Sequence, residues 1–241
     1  MLKIGHRGAK AYAPENTLTS FRKAVEMGVD MIEFDVRITK DKYPVVIHDS
    51  HLRRLTKSFG QVKKWTLAEV KKLKIKKTET IPTLAEVLDT IDNRVGINIE
   101  LKVKNSAQIV VQTLRDYKVD FKNVIISSNH PSEIKAVERL EPEITTALLF
   151  RATNAFNIWF ILDFLAILFL PITKYYISWI VKRAGADYLN INYRFLDRNK
   201  VALFKKRGIK ICAWTVNSSK KINYLKSLGI DGIITNYPDR L

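Results

Sequence analysis

The chain has 241 residues, 46% hydrophobic and 27% charged, globular proportions that exclude intrinsic disorder, a collagen-like repeat and a multi-span membrane protein. Its 41 lysines and arginines outnumber 24 acidic residues for a net charge of +17, which predicts attraction to a phosphate metabolite, an acidic lipid headgroup or a nucleic acid. The single cysteine, Cys212, excludes an internal disulfide framework, and Met1-Leu2-Lys3-Ile4 lacks a signal peptide's apolar stretch, so a reducing cytoplasm is expected.

Short Val- and Ile-rich runs recur at residues 4–6, 31–36, 45–48, 96–102, 124–128, 146–150, 188–191, 211–216 and 232–235. Stretches with helical spacing lie between most of them. Residues 17–27 put Leu18, Phe21, Ala24 and Val25 on one face, and 199–206 and 218–228 complete the series. Thr66 with Glu69, and Thr83 with Glu86, have capping-box spacing, while Gly28, Gly208 and Gly229 sit where helices stop. Strand, helix and strand in repetition predict a parallel sheet. Residues 36–45 are too short for a crossover helix, so 45–48 reads as the return arm of a hairpin after the second strand. Eight parallel strands remain, and they close most economically as an α/β TIM (β/α)8 barrel occupying residues 1–241 as one domain.

Chemistry in such a barrel collects at the carboxyl ends of the strands. There the chain has Gly5-His6-Arg7-Gly8, Glu33-Phe34-Asp35, His48-Asp49 and Glu100-Leu101-Lys102. Residues i and i+2 of a strand share a face, so Glu33 pairs with Asp35 and Glu100 with Lys102. Three carboxylates in one barrel mouth repel unless a cation sits among them, and oxygen ligands suit Ca²⁺ or Mg²⁺. The bland alternative is a structural salt-bridge network of Glu33 and Asp35 with Arg7 and Lys102. His6 and His48 can supply an acid and a base near neutral pH, and Arg7 and Lys102 can hold phosphate oxygens.

These motifs, taken with Pro14-Glu15-Asn16-Thr17, Leu52, Arg54, Thr56, Ile81-Pro82-Thr83-Leu84, Trp214-Thr215-Val216-Asn217 and Asp231-Gly232-Ile233-Ile234-Thr235, closely resemble the glycerophosphodiester phosphodiesterase family. The resemblance runs in order from residue 4 to 238 and lapses between about 150 and 183. It implies a TIM barrel that hydrolyses a phosphodiester to an alcohol and glycerol 3-phosphate. It further implies a divalent metal on Glu33, Asp35 and Glu100, acid and base roles for His6 and His48, and contact of Trp214 with the glycerol or alcohol moiety. His6 is assigned as base and His48 as acid. Attack by water and attack by the glycerol 2-hydroxyl through a cyclic phosphate both remain compatible with these residues. Glu15 is expected to brace the Arg7 loop, and Asn16 or Thr17 to cap the first helix. Two departures, Ser127-Ser128-Asn129 where relatives have Ser-Phe, and Asn236 where Asp is common, bear on pocket shape. His51 and His130 lack partners in register, and Cys212 reads as a core thiol.

The segment 156–181 breaks the pattern as a hydrophobic, helical insertion between the sixth and seventh strands, bounded at 151–183. Asp163, Pro171 and Lys174 interrupt it, and the apolar run before Pro171 falls short of the roughly 20 residues a span needs. A core helix is the bland reading. The apolar residues go all round a helix, however, and Trp159, Phe160, Phe164, Leu165, Leu168 and Phe169 are therefore expected to contact an anionic membrane surface at the cell membrane's inner face. Oligomerisation through the same patch is the alternative. Substrates are then small or lipid-derived phosphodiesters, with lysophospholipase D-type hydrolysis of lysophospholipids as a neighbouring activity. A non-catalytic membrane-binding barrel is the rival from another class. Nucleic acid is not an expected partner, because no stacking-aromatic or zinc motif accompanies the lysine-rich residues 63–77.

Overall fold

The computed structural model describes residues 1–150 and 173–241. Alternation of apolar side chains builds strands β1 (Leu2–His6), β2 (Met31–Ile38), β3 (Pro44–Val46), β4 (Lys74–Ile75), β5 (Glu79–Thr80), β6 (Gly96–Leu101), β7 (Val124–Ser128), β8 (Thr145–Phe150), β9 (Tyr188–Asn192), β10 (Lys210–Trp214) and β11 (Gly232–Thr235). The parallel order β1-β11-β10-β9-β8-β7-β6-β2 is closed by pairing of β1 with β2, giving an eight-stranded TIM barrel with helices between the strands. β3 runs antiparallel to β2, with Val36 opposite Val46, and is the expected hairpin arm.

One parity of each strand packs outward and the other inward. Ile32, Phe34 and Val36 of β2, with Ile97, Ile99 and Leu101 of β6, join Phe21, Leu84, Val87 and Val110 in the layer between sheet and helices. Ile4, Met31, Ile125, Ala147, Tyr188 and Cys212 fill the barrel near the amino ends of the strands. Two residues further along the same strands stand His6, Glu33, Ser127, Leu149, Asn190 and Trp214. The interior thus turns from apolar floor to polar mouth within one repeat of the pleat, and that step places the site.

Both predicted capping boxes form, at Thr66 with Glu69 and at Thr83 with Glu86. Thr17, not Asn16, caps the helix Leu18–Glu26, accepting from the Ser20 amide. A satellite cluster under β3 gathers Val45, Ile47, Leu52, Val70, Ile75 and Ile81. It is closed by the two-residue β4–β5 pair, which sequence periodicity does not reveal because two residues are too few to show a period.

Residues 151–172 of the hydrophobic segment, with Trp159, Phe160, Phe164, Leu165, Leu168 and Phe169, lie outside the described residues. Its last part is a barrel wall. The helix Thr173–Ala184 buries Ile177, Val181 and Ala184 in the cluster that also holds Leu189, Ile191 and Phe204, and turns Tyr175, Tyr176 and Trp179 outward. Among the described residues, no helix is long and apolar enough to cross a membrane.

The turn after β1 depends on Gly8. Its φ is +81°, and an added Cβ would lie 2.7 Å from the Ser20 carbonyl. That close approach lets the Ala9 amide donate to Ser20 O and fixes the loop carrying Arg7. Gly8→Ala is expected to lower unfolding free energy by more than about 1 kcal/mol in urea titrations.

Candidate active site

Strand register assembles the acidic cluster. His6 lies beside Glu33 across β1 and β2, Asp35 beside Glu100 across β2 and β6, and Glu100 beside Ser127 across β6 and β7. Glu33, Asp35 and Glu100 are buried, and one oxygen from each comes within 4.8 Å of the others. Lys102 Nζ reaches Asp35 Oδ1 at 3.2 Å and Glu100 Oε1 at 2.7 Å, while Arg7 Nε lies 3.1 Å from Asp35 Oδ2. The Arg7 amide donates to Glu33 Oε2 at 2.9 Å, and Asn16 Nδ2 donates to Asp35 Oδ2 at 2.9 Å. Of the salt-bridge network weighed from the sequence, the Asp35 half is therefore present, whereas Glu33 meets Arg7 only through its backbone amide.

Were all three carboxylates ionised, Arg7 and Lys102 would leave one negative charge over. Burial first, then Asp35 and Glu100, push Glu33 well above the usual carboxylate range. Burial would raise Asp35 too, but Lys102 and Arg7 hold it well below that range. Oxygen donors in a tight group with residual negative charge fit a hard divalent cation, so Glu33, Asp35 and Glu100 are able to bind one.

His6 Nδ1 lies 2.6 Å from Asn236 Oδ1 and donates to it, which leaves Nε2 as the acceptor, 3.9 Å from Glu33 Oε2. Burial, reinforced by the Arg7 charge, lowers His6 to about 3. Asn236, singled out as a departure that bears on pocket shape, is thus also the residue that orients this ring. His48 Nδ1 lies 2.7 Å from Asp49 Oδ1, and burial leads the lowering of its pKa to about 4 despite the pull of Asp35. Asp49 is gripped by Arg54, whose guanidinium also meets Glu15 Oε1 at 2.6 Å. Glu15 in turn holds Arg7 at 2.8 Å, as the sequence suggested, and Lys10 at 2.8 Å. One chain of charges therefore runs from His48 to Arg7.

A cavity beside the carboxylates is lined by His6, Arg7, Glu33, Glu100, Ser127, Leu149, Asn190 and Trp214. Two of its buried polar atoms, Trp214 Nε1 and Asn190 Oδ1, have no hydrogen-bond partner among the described residues. Such atoms await a ligand or water. Asn190 escaped the sequence reading; its signal is an amide on the inward parity of an apolar strand, two residues after Tyr188. On the His48 side a wider groove is lined by Arg37, Asp49, His51, Arg53, Arg54 and Lys102. His51 is hydrogen-bonded to Ser50 and exposed, and His130 lines neither cavity. Burial pushes the Cys212 thiol up, as befits a core residue.

A closed parallel barrel with three buried carboxylates and two imidazoles at its mouth is a TIM-barrel site able to hold a divalent cation. Residues 6–240 match the glycerophosphoryl diester phosphodiesterase family, and the chain belongs to it. It is 33% identical to a glycerophosphodiester phosphodiesterase of Caldanaerobacter subterraneus subsp. tengcongensis, covering all of this chain (100%) and 96% of that one. It is 29% identical to a lysophospholipase D of Rattus norvegicus over 99% of this chain and 84% of that protein. Among solved structures, an Oleispira antarctica phosphodiesterase in complex with the product sn-glycerol-3-phosphate superposes with a TM-score of 0.81 at 27% identity, covering 98% and 93% of the two chains.

The raised Glu33 carboxyl sets the pH dependence of cation binding. Its proton must leave before the oxygen can ligate, so affinity rises as pH rises. Calorimetric titration with Mg²⁺ or Ca²⁺ should show binding that tightens as pH rises, with net proton release, and Glu33→Gln should abolish that release.

Proposed function

We propose that the chain hydrolyses glycerophosphodiesters to an alcohol and glycerol 3-phosphate as a single barrel domain, with His6 as general base and His48 as general acid. The observation carrying this reading is the convergence of three buried carboxylates and two oriented imidazoles at the mouth of a barrel of this family. A divalent cation held by Glu33, Asp35 and Glu100 would supply neutralisation of the non-bridging phosphate oxygens. Arg7 and Lys102 add fixed positive charge around the same oxygens.

The His6 tautomer supports its role. With Nδ1–H committed to Asn236, Nε2 keeps a lone pair over the cavity side and accepts the nucleophile's proton. In the free protein both imidazoles are held neutral, so His48 takes up its proton as the anionic diester arrives, with Asp49 and Asp35 stabilising the imidazolium. It then delivers that proton to the leaving alkoxide. Trp214 Nε1 and Asn190 Oδ1 form a donor and an acceptor for the hydroxyls of the glycerol moiety.

A second partner is supported by the outer face of the helix Thr173–Ala184. Tyr175, Tyr176 and Trp179 are about half exposed, with Lys174 and Arg183 over the Tyr175 and Trp179 rings. Aromatic rings beside cations suit the headgroup region of an anionic bilayer, where lysophospholipids and other lipid-derived diesters are met.

Replacement of His6 or His48 by Ala should lower kcat for glycerol 3-phosphate release by about 10²–10⁴. Asn190→Ala should instead act mainly on KM; unchanged turnover in both histidine variants contradicts the assignment. For the membrane reading, co-sedimentation with phosphatidylglycerol vesicles should fall in a Tyr176→Ser, Trp179→Ser double variant and at high salt. Equal, salt-insensitive failure of parent and variant to bind removes it.

A further inference from the structure

The two sides of the acidic cluster differ in charge. Toward Trp214 the wall is Leu149, Ile234, Ser127 and Asn190, which are short, neutral groups suited to a glyceryl moiety. Toward His48 the open groove is lined by Arg37, Arg53, Arg54, Lys102 and Asp49; Lys102 is held by Asp35 and Glu100, and Arg54 by Asp49 and Glu15. Asp49 is already committed to His48 and Arg54. The Arg37 Nε donates to the His48 carbonyl at 2.9 Å, so its guanidinium is held at the groove wall, and Lys102 joins the groove to the carboxylate cluster. Arg53 is exposed and makes no ion pair among the described residues; its guanidinium lies over the exposed Phe59 ring, 5.3 Å from the centroid. Arg53 is also absent from the motif residues His48, Asp49, Leu52, Arg54 and Thr56 that mark the family resemblance.

We propose that this groove is a subsite for the alcohol portion of the diester and that it selects alcohols carrying a further anionic group, a phosphate or a carboxylate. The proposal rests on the hydrolase reading, in which His48 protonates the leaving oxygen and the departing alcohol therefore lies on its side. A neutral alcohol leaves the Arg53 charge to water and counterions. An anionic one meets Arg53 at the lip of the groove, with the Arg54 guanidinium beside it. Arg53 on Phe59 holds its charge at the outer lip, so it acts on the distal end of the alcohol and not on the scissile bond.

The test is kcat/KM for glycerol 3-phosphate release from four synthetic diesters: glycerophosphoglycerol, glycerophosphocholine, glycerophosphoglycolate and glycerophosphoglycerol bearing a terminal phosphate. The two anionic alcohols should exceed glycerophosphoglycerol by about tenfold, glycerophosphocholine should be poorest, and the spread should shrink in high salt. The ratio between the phosphate and carboxylate arms reads which anion the groove prefers. Arg53→Glu should remove most of the preference through KM, with an unchanged thermal unfolding midpoint showing that the variant is folded. Equal efficiency across the four diesters, or an unchanged order in Arg53→Glu, overturns the subsite and leaves the hydrolase reading standing. No glycerol 3-phosphate from any diester overturns both.

Discussion

Three carboxylates placed within 4.8 Å of one another inside a barrel are the constraint around which the mouth of this molecule is arranged. Burying one such group without a partner is worth several kcal/mol of destabilisation. Asp35 answers with Arg7, Lys102 and the Asn16 amide, and Glu100 with Lys102. Glu33 receives one backbone amide and, among the described residues, no close ammonium or guanidinium pair, so it is the group whose proton is hardest to remove. With all three carboxylates ionised the cluster is short of positive charge, which either a proton on Glu33 or a bound divalent cation supplies.

The parts around the cluster follow from holding those two cations still. Arg7 sits in the turn that Gly8 makes possible, with Glu15 on its far side. Glu15 also holds Arg54, Arg54 holds Asp49, and Asp49 orients His48, so the connections after β1 and after β3 share one electrostatic chain. His6 is fixed differently, by the neutral amide of Asn236 after β11. One imidazole therefore has a carboxylate behind it and the other does not, an asymmetry that matches unlike roles for the two rings. The surroundings repeat it, with a wall of Leu149, Asn190, Trp214 and Ile234 on one side and a groove lined by Arg37, Arg53 and Arg54 on the His48 side.

Most of this was legible in the sequence because the informative residues are exceptions to a strong pattern. Glu33 and Asp35 in an otherwise apolar strand, and Glu100 two residues before Lys102, can only be inward-facing if the outward parity is Ile32, Phe34, Ile99 and Leu101. The eight-strand count, the hairpin at β3 and both capping boxes were fixed by local chemistry of the same kind. Other features depend on tertiary contact and leave little local trace. The β4–β5 pair is too short to show a period, Asn190 gains meaning only from the neighbours its amide lacks, and Asn236 becomes a positioning group only through a ring 230 residues away in the chain. Ile177 and Val181 read as part of one long apolar stretch, whereas their packing on Leu189 and Phe204 makes that portion an ordinary barrel helix.

Glu33, Asp35 and Glu100 are positioned to share a single cation. Crystals grown with Mn²⁺ and measured at the manganese edge test this directly: one anomalous peak is predicted, with oxygens of all three carboxylates at about 2.0–2.6 Å. A peak elsewhere, or an intact triad still bridged by Lys102 with no peak at saturating Mn²⁺, would contradict it.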